Sequence, residues 1–179
     1  MYWTSRDIAV VALLAALWGV LNAIFSPLVF QVFGLPILCD LIGFTVLTIA
    51  VWWTKKLGAT TMIGLIATVI NFLFNPGAIQ FLGFTVASIV FDTLSWLVGY
   101  DRMFKTPSYS LISFIVISTL SAALAGFVIA TFSLNVTTSR LTSWGGVLSW
   151  AMLHAVGGVI GGIIGFLVVT ALLARDIQT

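Results

Sequence analysis

The chain has 179 residues, 61% of them hydrophobic and only 7% charged, with a mean hydropathy of +1.21. Soluble domains carry about 25% charged residues, so this composition excludes that class and points to an integral membrane protein. Seven Lys+Arg against five acids give a pI of 9.0, too few cations for a nucleic-acid footprint. The single cysteine, Cys39, excludes an intrachain disulfide and a cysteine-rich metal site.

A spanning helix needs roughly 20 apolar residues, so the length allows about six spans in one all-α domain, residues 1–179, with no separate soluble part. Arg6 and the apolar run after it imitate a signal peptide. The run is long and lacks a clean small-residue cleavage site, so it reads as a retained span. Span 1 covers about Asp7 to Phe25 and is closed by Ser26-Pro27. A loop with Gln31, Gly34 and Pro36 follows. Span 2, about Ile37 to Trp53, is short and opens on Cys39-Asp40. The basic turn Lys55-Lys56 precedes Gly58 and span 3, about Ala59 to Phe74. Asn75-Pro76-Gly77 makes a tight reversal, because Pro fixes φ and Gly accepts positive φ. Span 4 covers about Ala78 to Gly99, and Tyr100-Asp101-Arg102 marks an exit. Span 5, about Tyr109 to Phe132, leads to a Ser/Thr-rich surface segment, Ser133 to Trp144. Span 6 covers about Gly146 to Ala174, and Arg175-Asp176 follow it.

With the N-terminus inside, Arg6, Lys55, Lys56, Arg102, Lys105 and Arg175 are all cytoplasmic, and Arg140 alone falls outside. That asymmetry follows the positive-inside rule and places both termini in the cytoplasm. The Asn75 turn, the Pro27–Pro36 loop and the Ser133–Trp144 loop then share the outer face. A pocket built from them opens outward.

The stretch Asn71 to Asp92 gathers polar groups at one membrane-level turn, with an acid below them. Asn71, Asn75, Gln80 and Asp92 are therefore the first candidates for a small-molecule pocket. Ionisable groups at membrane depth cost roughly 2.5 kcal/mol or more to insert, and three qualify: Asp40, Asp92 and His154. Asp40 sits at the start of span 2, where an acid suits a helix N-terminus; it is either a cap or a ligand contact. Asp92 lies near mid-membrane. It is a ligand group, a partner for His154, or an acceptor for backbone donors. His154 is a ligand group or a satisfied core residue. No second His, Glu or Cys supports a metal site.

Trp3, Trp52, Trp53 and Trp144 lie near span ends as belt residues, whereas Trp18, Trp96 and Trp150 lie deeper. Trp18 and Asn22 share a face of span 1, and Trp150 is one turn from His154. An aromatic ring beside a polar group suits a flat heterocycle; core packing accounts for each Trp almost as well. Ala12, Ala16, Gly19 and Ala23 form a small-residue stripe on span 1, and Gly157, Gly161 and Gly165, with Gly158 and Gly162, form one on span 6. Such stripes let helices approach closely in lipid. There is no phosphate-binding loop, no nucleophile–base pair and no metal signature. An enzyme is not expected, and neither is a cofactor.

These features resemble the substrate-binding S-components of energy-coupling factor (ECF) vitamin transporters, most closely the thiamin and hydroxymethylpyrimidine group. The resemblance covers nearly the whole chain. It rests on six spans, Ala12-x-x-x-Ala16, the turn Lys55-Lys56-Leu57-Gly58-Ala59, Asn75-Pro76-Gly77 and an acid in span 4, here Asp92. It implies a multi-pass protein of the cell membrane that captures a vitamin-like molecule from outside. The implied partners are a transmembrane coupling subunit, docked on the Ala12, Ala16, Gly19, Ala23 stripe, and two cytoplasmic ATPases. Transport would follow toppling of the protein in the lipid bilayer. Where that group carries acids in span 3, this chain has Gly64 and Asn71, so a cationic substrate meets less negative charge. The expected pocket is Asn71, Asn75, Gln80 and Asp92, with Asp40, Trp150, His154, Trp18 and Asn22. Two other readings are a non-transporting membrane scaffold of similar fold and a proton-coupled carrier using Asp92 and His154.

Overall fold

The computed structural model describes residues 2–133 and 145–175; Arg140, Trp144, Asp176 and most of the Ser/Thr-rich connector lie outside them. The described helices are α1 (Ser5–Phe33), α2 (Ile37–Thr54), α3 (Ala59–Phe74), α4 (Phe81–Val98), a short α5 (Tyr100–Met103), α6 (Pro107–Val128) and α7 (Gly146–Leu173). A π-helical turn, Ile129–Ser133, extends α6. Among the described residues, five helices are long and apolar enough to cross a membrane: α1, α2, α4, α6 with its extension, and α7. The remaining apolar helix, α3, has 16 residues. At 1.5 Å per residue it reaches about 24 Å, short of the roughly 30 Å hydrocarbon core.

The long helices close a ring in the order α1, α3, α4, α6, α7, α2, and α2 also touches α3 and α4. Their unpartnered sides are hydrocarbon. Leu13, Leu17, Val20 and Ile24 of α1, Leu65 and Val69 of α3, and Leu120 and Phe127 of α6 are all exposed. A helix apolar all round is what burial or lipid demands.

Local signals explain the helix ends. Thr4 and Asp7 form a reciprocal capping box at the start of α1, and Lys56 of the α2–α3 turn pairs with Asp7. Pro107 occupies the first turn of α6 behind the Thr106 cap. Span 1 does not end at Ser26-Pro27, however. The helix runs through Pro27 to Phe33 and stops at Gly34, whose φ of 70° supplies the left-handed C-cap. Proline removes one helical N–H, a loss that membrane helices tolerate. Ser26 at the same turn donates to Asn22 Oδ1 at 2.6 Å.

The two small-residue stripes part company. On α7, Gly157, Gly161 and Gly165 face Asp40, the α2 backbone at Asp40–Leu41, and Thr48, while Gly158 and Gly162 face Ser118 and Phe114 of α6. A Cβ at any of these five would come within 3.0 Å of a neighbour. This stripe is internal packing on two sides. On α1, Ala12 and Ala16 are exposed and Ala23 is half-buried, but Gly19 is turned inward. A Cβ there would lie 2.8 Å from Ile70 Cβ of α3. Gly19 therefore belongs to the α1–α3 contact and not to one outer face with Ala12 and Ala16.

Candidate functional site

Asp40 and His154, on α2 and α7, meet inside the ring. His154 Nδ1 lies 3.1 Å from Asp40 Oδ1 and 2.8 Å from Oδ2; Oδ1 is the better-aligned acceptor and Oδ2 the closer atom. The residues are 0% and 1% exposed. A carboxylate at Nδ1 places the ring proton there, which leaves Nε2 without a partner. The local sequence makes room for the pair. Asp40 stands in the first turn of α2, behind a Pro36 cap that offers no side-chain hydrogen bond. Gly157 lets its side chain through, since a Cβ there would come 2.8 Å from Oδ2. Gly126 does the same for His154, at 2.8 Å from Cδ2.

Rings pack against the imidazole of this pair. Trp150 and Phe84 stand 5.8 and 5.7 Å from the imidazole, centre to centre. Phe30 meets Trp150 edge-on at 6.3 Å, and Trp18 meets Phe84 edge-on at 6.3 Å and Phe81 at 6.3 Å. Aromatic groups from α1, α4 and α7 thus cluster around the imidazole that pairs with an acid from α2. Trp18 Nε1 and Trp150 Nε1 are buried without an acceptor, a state that costs roughly 1–3 kcal/mol per group. Unpartnered indole donors, a buried acid–imidazole pair and flat aromatic rings thus share one region, the kinds of group that orient a flat ligand where one is bound.

The expected pocket residues do not all gather here. Trp18, Asp40, Trp150 and His154 do. Asn22 lies on the same buried face of α1, accepting from Ser26. Asn71 is buried but occupied: its Nδ2 donates to Gly19 O at 3.2 Å and Ala67 O at 2.8 Å, tying α3 to α1. Asn75 and Gln80 are exposed. The Asn75 side-chain Oδ1 closes its own turn by accepting from Gly77 N at 3.1 Å.

Asp92 is elsewhere. Its Oδ2 accepts from Gly58 N at 2.8 Å, Thr61 N at 3.1 Å and Thr61 Oγ1 at 2.7 Å. The α3 N-cap, Gly58, has no side chain to offer, so an acid from α4 caps the helix instead. From Thr61 to Asn71 is ten residues of helix, or about 15 Å. Asp92 therefore stands at the Lys55–Gly58 end of the ring, away from the Asn75 turn, and the partner of His154 is Asp40. Tyr100 also belongs to this end; burial and then the nearby Asp92 carboxylate push its phenol up to about 12.

Among the tryptophans, Trp52 is no belt residue, being 2% exposed, whereas Trp96 is 53% exposed and faces outward. Phe30, Phe81, Phe84, Gly126 and Gly157 complete the site without having stood out in the sequence. Aromatic and small residues are everywhere in so apolar a chain, and only the stripe containing Gly157 carried a signal. No family model, curated protein or solved structure matches the chain, so the site is read from its own geometry.

Proposed function

We propose that the protein is a membrane-embedded binding subunit for a small, flat, vitamin-like heterocycle, of the ECF S-component kind. In this reading α3 completes six spans, the Lys55 end is cytoplasmic, and the protein resides in the cell membrane. It delivers its solute through a transmembrane coupling subunit driven by two ATPases. The observation that carries the reading is the buried Asp40–His154 pair with Trp150 and Phe84 against the imidazole, Trp18 behind Phe84, and indole donors left over. A pyrimidine fits such a site: its ring stacks among the aromatic walls, its ring nitrogens accept from indole N–H, and an exocyclic amine donates to the carboxylate. Asp92 supplies no ligand contact in this reading, because a helix end already uses one of its oxygens three times.

Tryptophan fluorescence of the purified protein, titrated with thiamin, hydroxymethylpyrimidine, riboflavin and biotin, tests it. Saturable quenching by a pyrimidine is the expected result, and no response to any of them defeats it. The same pair favours a second reading, a proton-coupled carrier using Asp40 and His154 in place of Asp92 and His154. Uptake that persists in uncoupled cells with intact ATP excludes it.

A further inference from the structure

At the Lys55 end of the ring, between the end of α2, the start of α6 and the end of α7, lies a cavity of about 310 Å³. That is the lower end of the range for ligand sites. Its wall is largely hydrocarbon and aromatic, with Phe104, Phe114, Phe166 and Leu173 among the lining groups. Two features are not hydrocarbon. Trp52 lines the cavity and is 2% exposed, yet its Nε1 has no acceptor. Lys55, half-buried at the same wall, stands over the Phe104 ring at 5.4 Å. No carboxylate among the described residues pairs with it.

Lys55 holds that place against backbone preference. Its φ is 48°, and it is the one positive-φ residue other than glycine among the described residues. A side chain there is disfavoured relative to glycine. The surroundings are cationic as well, since Arg6, Lys56, Arg102, Lys105 and Arg175 occupy turns and termini at this same end. In a membrane-spanning bundle, helix ends stand at headgroup depth.

We infer that this cavity is a binding site for an anionic phospholipid. The phosphate accepts from Lys55 Nζ and Trp52 Nε1, and an acyl chain lies along Phe114, Phe166 and Leu173. Charge complementarity selects this occupant. A zwitterionic lipid sets its own cation against Lys55, and a small soluble anion leaves the aromatic wall uncovered. Basic pockets between helices at headgroup depth take acidic headgroups for the same reason. The inference does not rest on the solute-binding proposal, because the two sites lie at opposite ends of the ring.

Native mass spectrometry of the purified full-length protein in detergent tests it. The added probes are phosphatidylglycerol, phosphatidylcholine of the same acyl chains, palmitate, and inorganic phosphate. The expected result is one phosphatidylglycerol per protein, held at least about tenfold tighter than phosphatidylcholine. Lys55→Gly should remove that preference while leaving the lipid-free melting temperature equal or higher, because glycine adopts the φ of 48° freely. Arg102→Gln should leave the preference intact. Thr170→Trp, which fills the cavity from its exposed lip, should abolish the bound lipid. Equal affinity for the two phospholipids, or an unchanged preference in Lys55→Gly, overturns the proposal. So does palmitate or phosphate binding as tightly as phosphatidylglycerol, which would give the cavity to a free anion.

Discussion

Asp92 and Asp40 are both buried acids in apolar helices, 1% and 0% exposed, and the chain uses them for opposite ends. Asp92 faces the open N-terminus of α3 and accepts two backbone N–H groups and a hydroxyl. Donors from the fold itself consume its Oδ2, while Oδ1 is buried without a partner. Asp40 faces an imidazole, and the polar atoms beyond that ring are left without partners. Burial does not distinguish the two acids. What distinguishes them is who donates: backbone N–H groups of a helix end hold Asp92, an imidazole from another helix holds Asp40, and the proposed ligand role falls to the second.

The largest expected effect comes from removing the architectural acid. Asp92→Ala deletes the cap that the described residues give the Gly58 terminus and strands two N–H groups, a loss of about 3 kcal/mol in stability. Thermal unfolding in detergent measures it; a melting temperature equal to that of the parent breaks the comparison. Next comes Gly157→Ala. Its Cβ would stand 2.7 Å from Asp40 Cβ, so α2 and α7 must separate, at about 2 kcal/mol. The same change should blunt any ligand response, because Asp40 is displaced.

Asp40→Asn should act in the reverse sense from Asp92→Ala. The amide is nearly isosteric and can still accept from His154, so the fold persists. Affinity for a pyrimidine falls about tenfold, or 1.4 kcal/mol, through loss of a charge-assisted bond. Equal binding by the parent and Asp40→Asn, measured by fluorescence titration, would make Asp40 structural too. The smallest effect concerns Tyr100. Its raised pKa means the fold favours the neutral phenol. That contribution is whole below the ordinary tyrosine value of about 10 and is lost as pH rises through about 12. Phenolate absorbance should show a late phase that Tyr100→Phe abolishes and Asp92→Asn moves to lower pH.

The bounds of α3, Ala59–Phe74, were legible because Gly58 and Asn75-Pro76 punctuate it on both sides. The end of α1 was not. Ser26-Pro27 carries the same turn chemistry, yet in a membrane helix that chemistry does not outweigh continued hydrogen bonding, and the extension places Phe30 against Trp150. The site was half legible. Buried ionisable groups are rare enough in such a chain to single out Asp40, Asp92 and His154, but their pairing is a matter of which helices adjoin. Spacing along the chain does not carry that. Helices apolar all round conceal their inward faces as well, which is why Gly19 and Trp52 were placed on the wrong side.

The glycines of α7 have one more consequence. A ladder of Gly157, Gly161 and Gly165 gives α2 a smooth track, and a smooth track carries almost no information about axial position. A slip of one turn, about 5.4 Å, sets glycine where glycine was over most of the ladder. The register of α7 is therefore written by the residues that are not glycine. Leu153 would enter the ladder from one end and Val169 from the other, and His154 can meet Asp40 at one height alone. The polar pair at the candidate site is thus also the index mark by which α7 finds its place against α2.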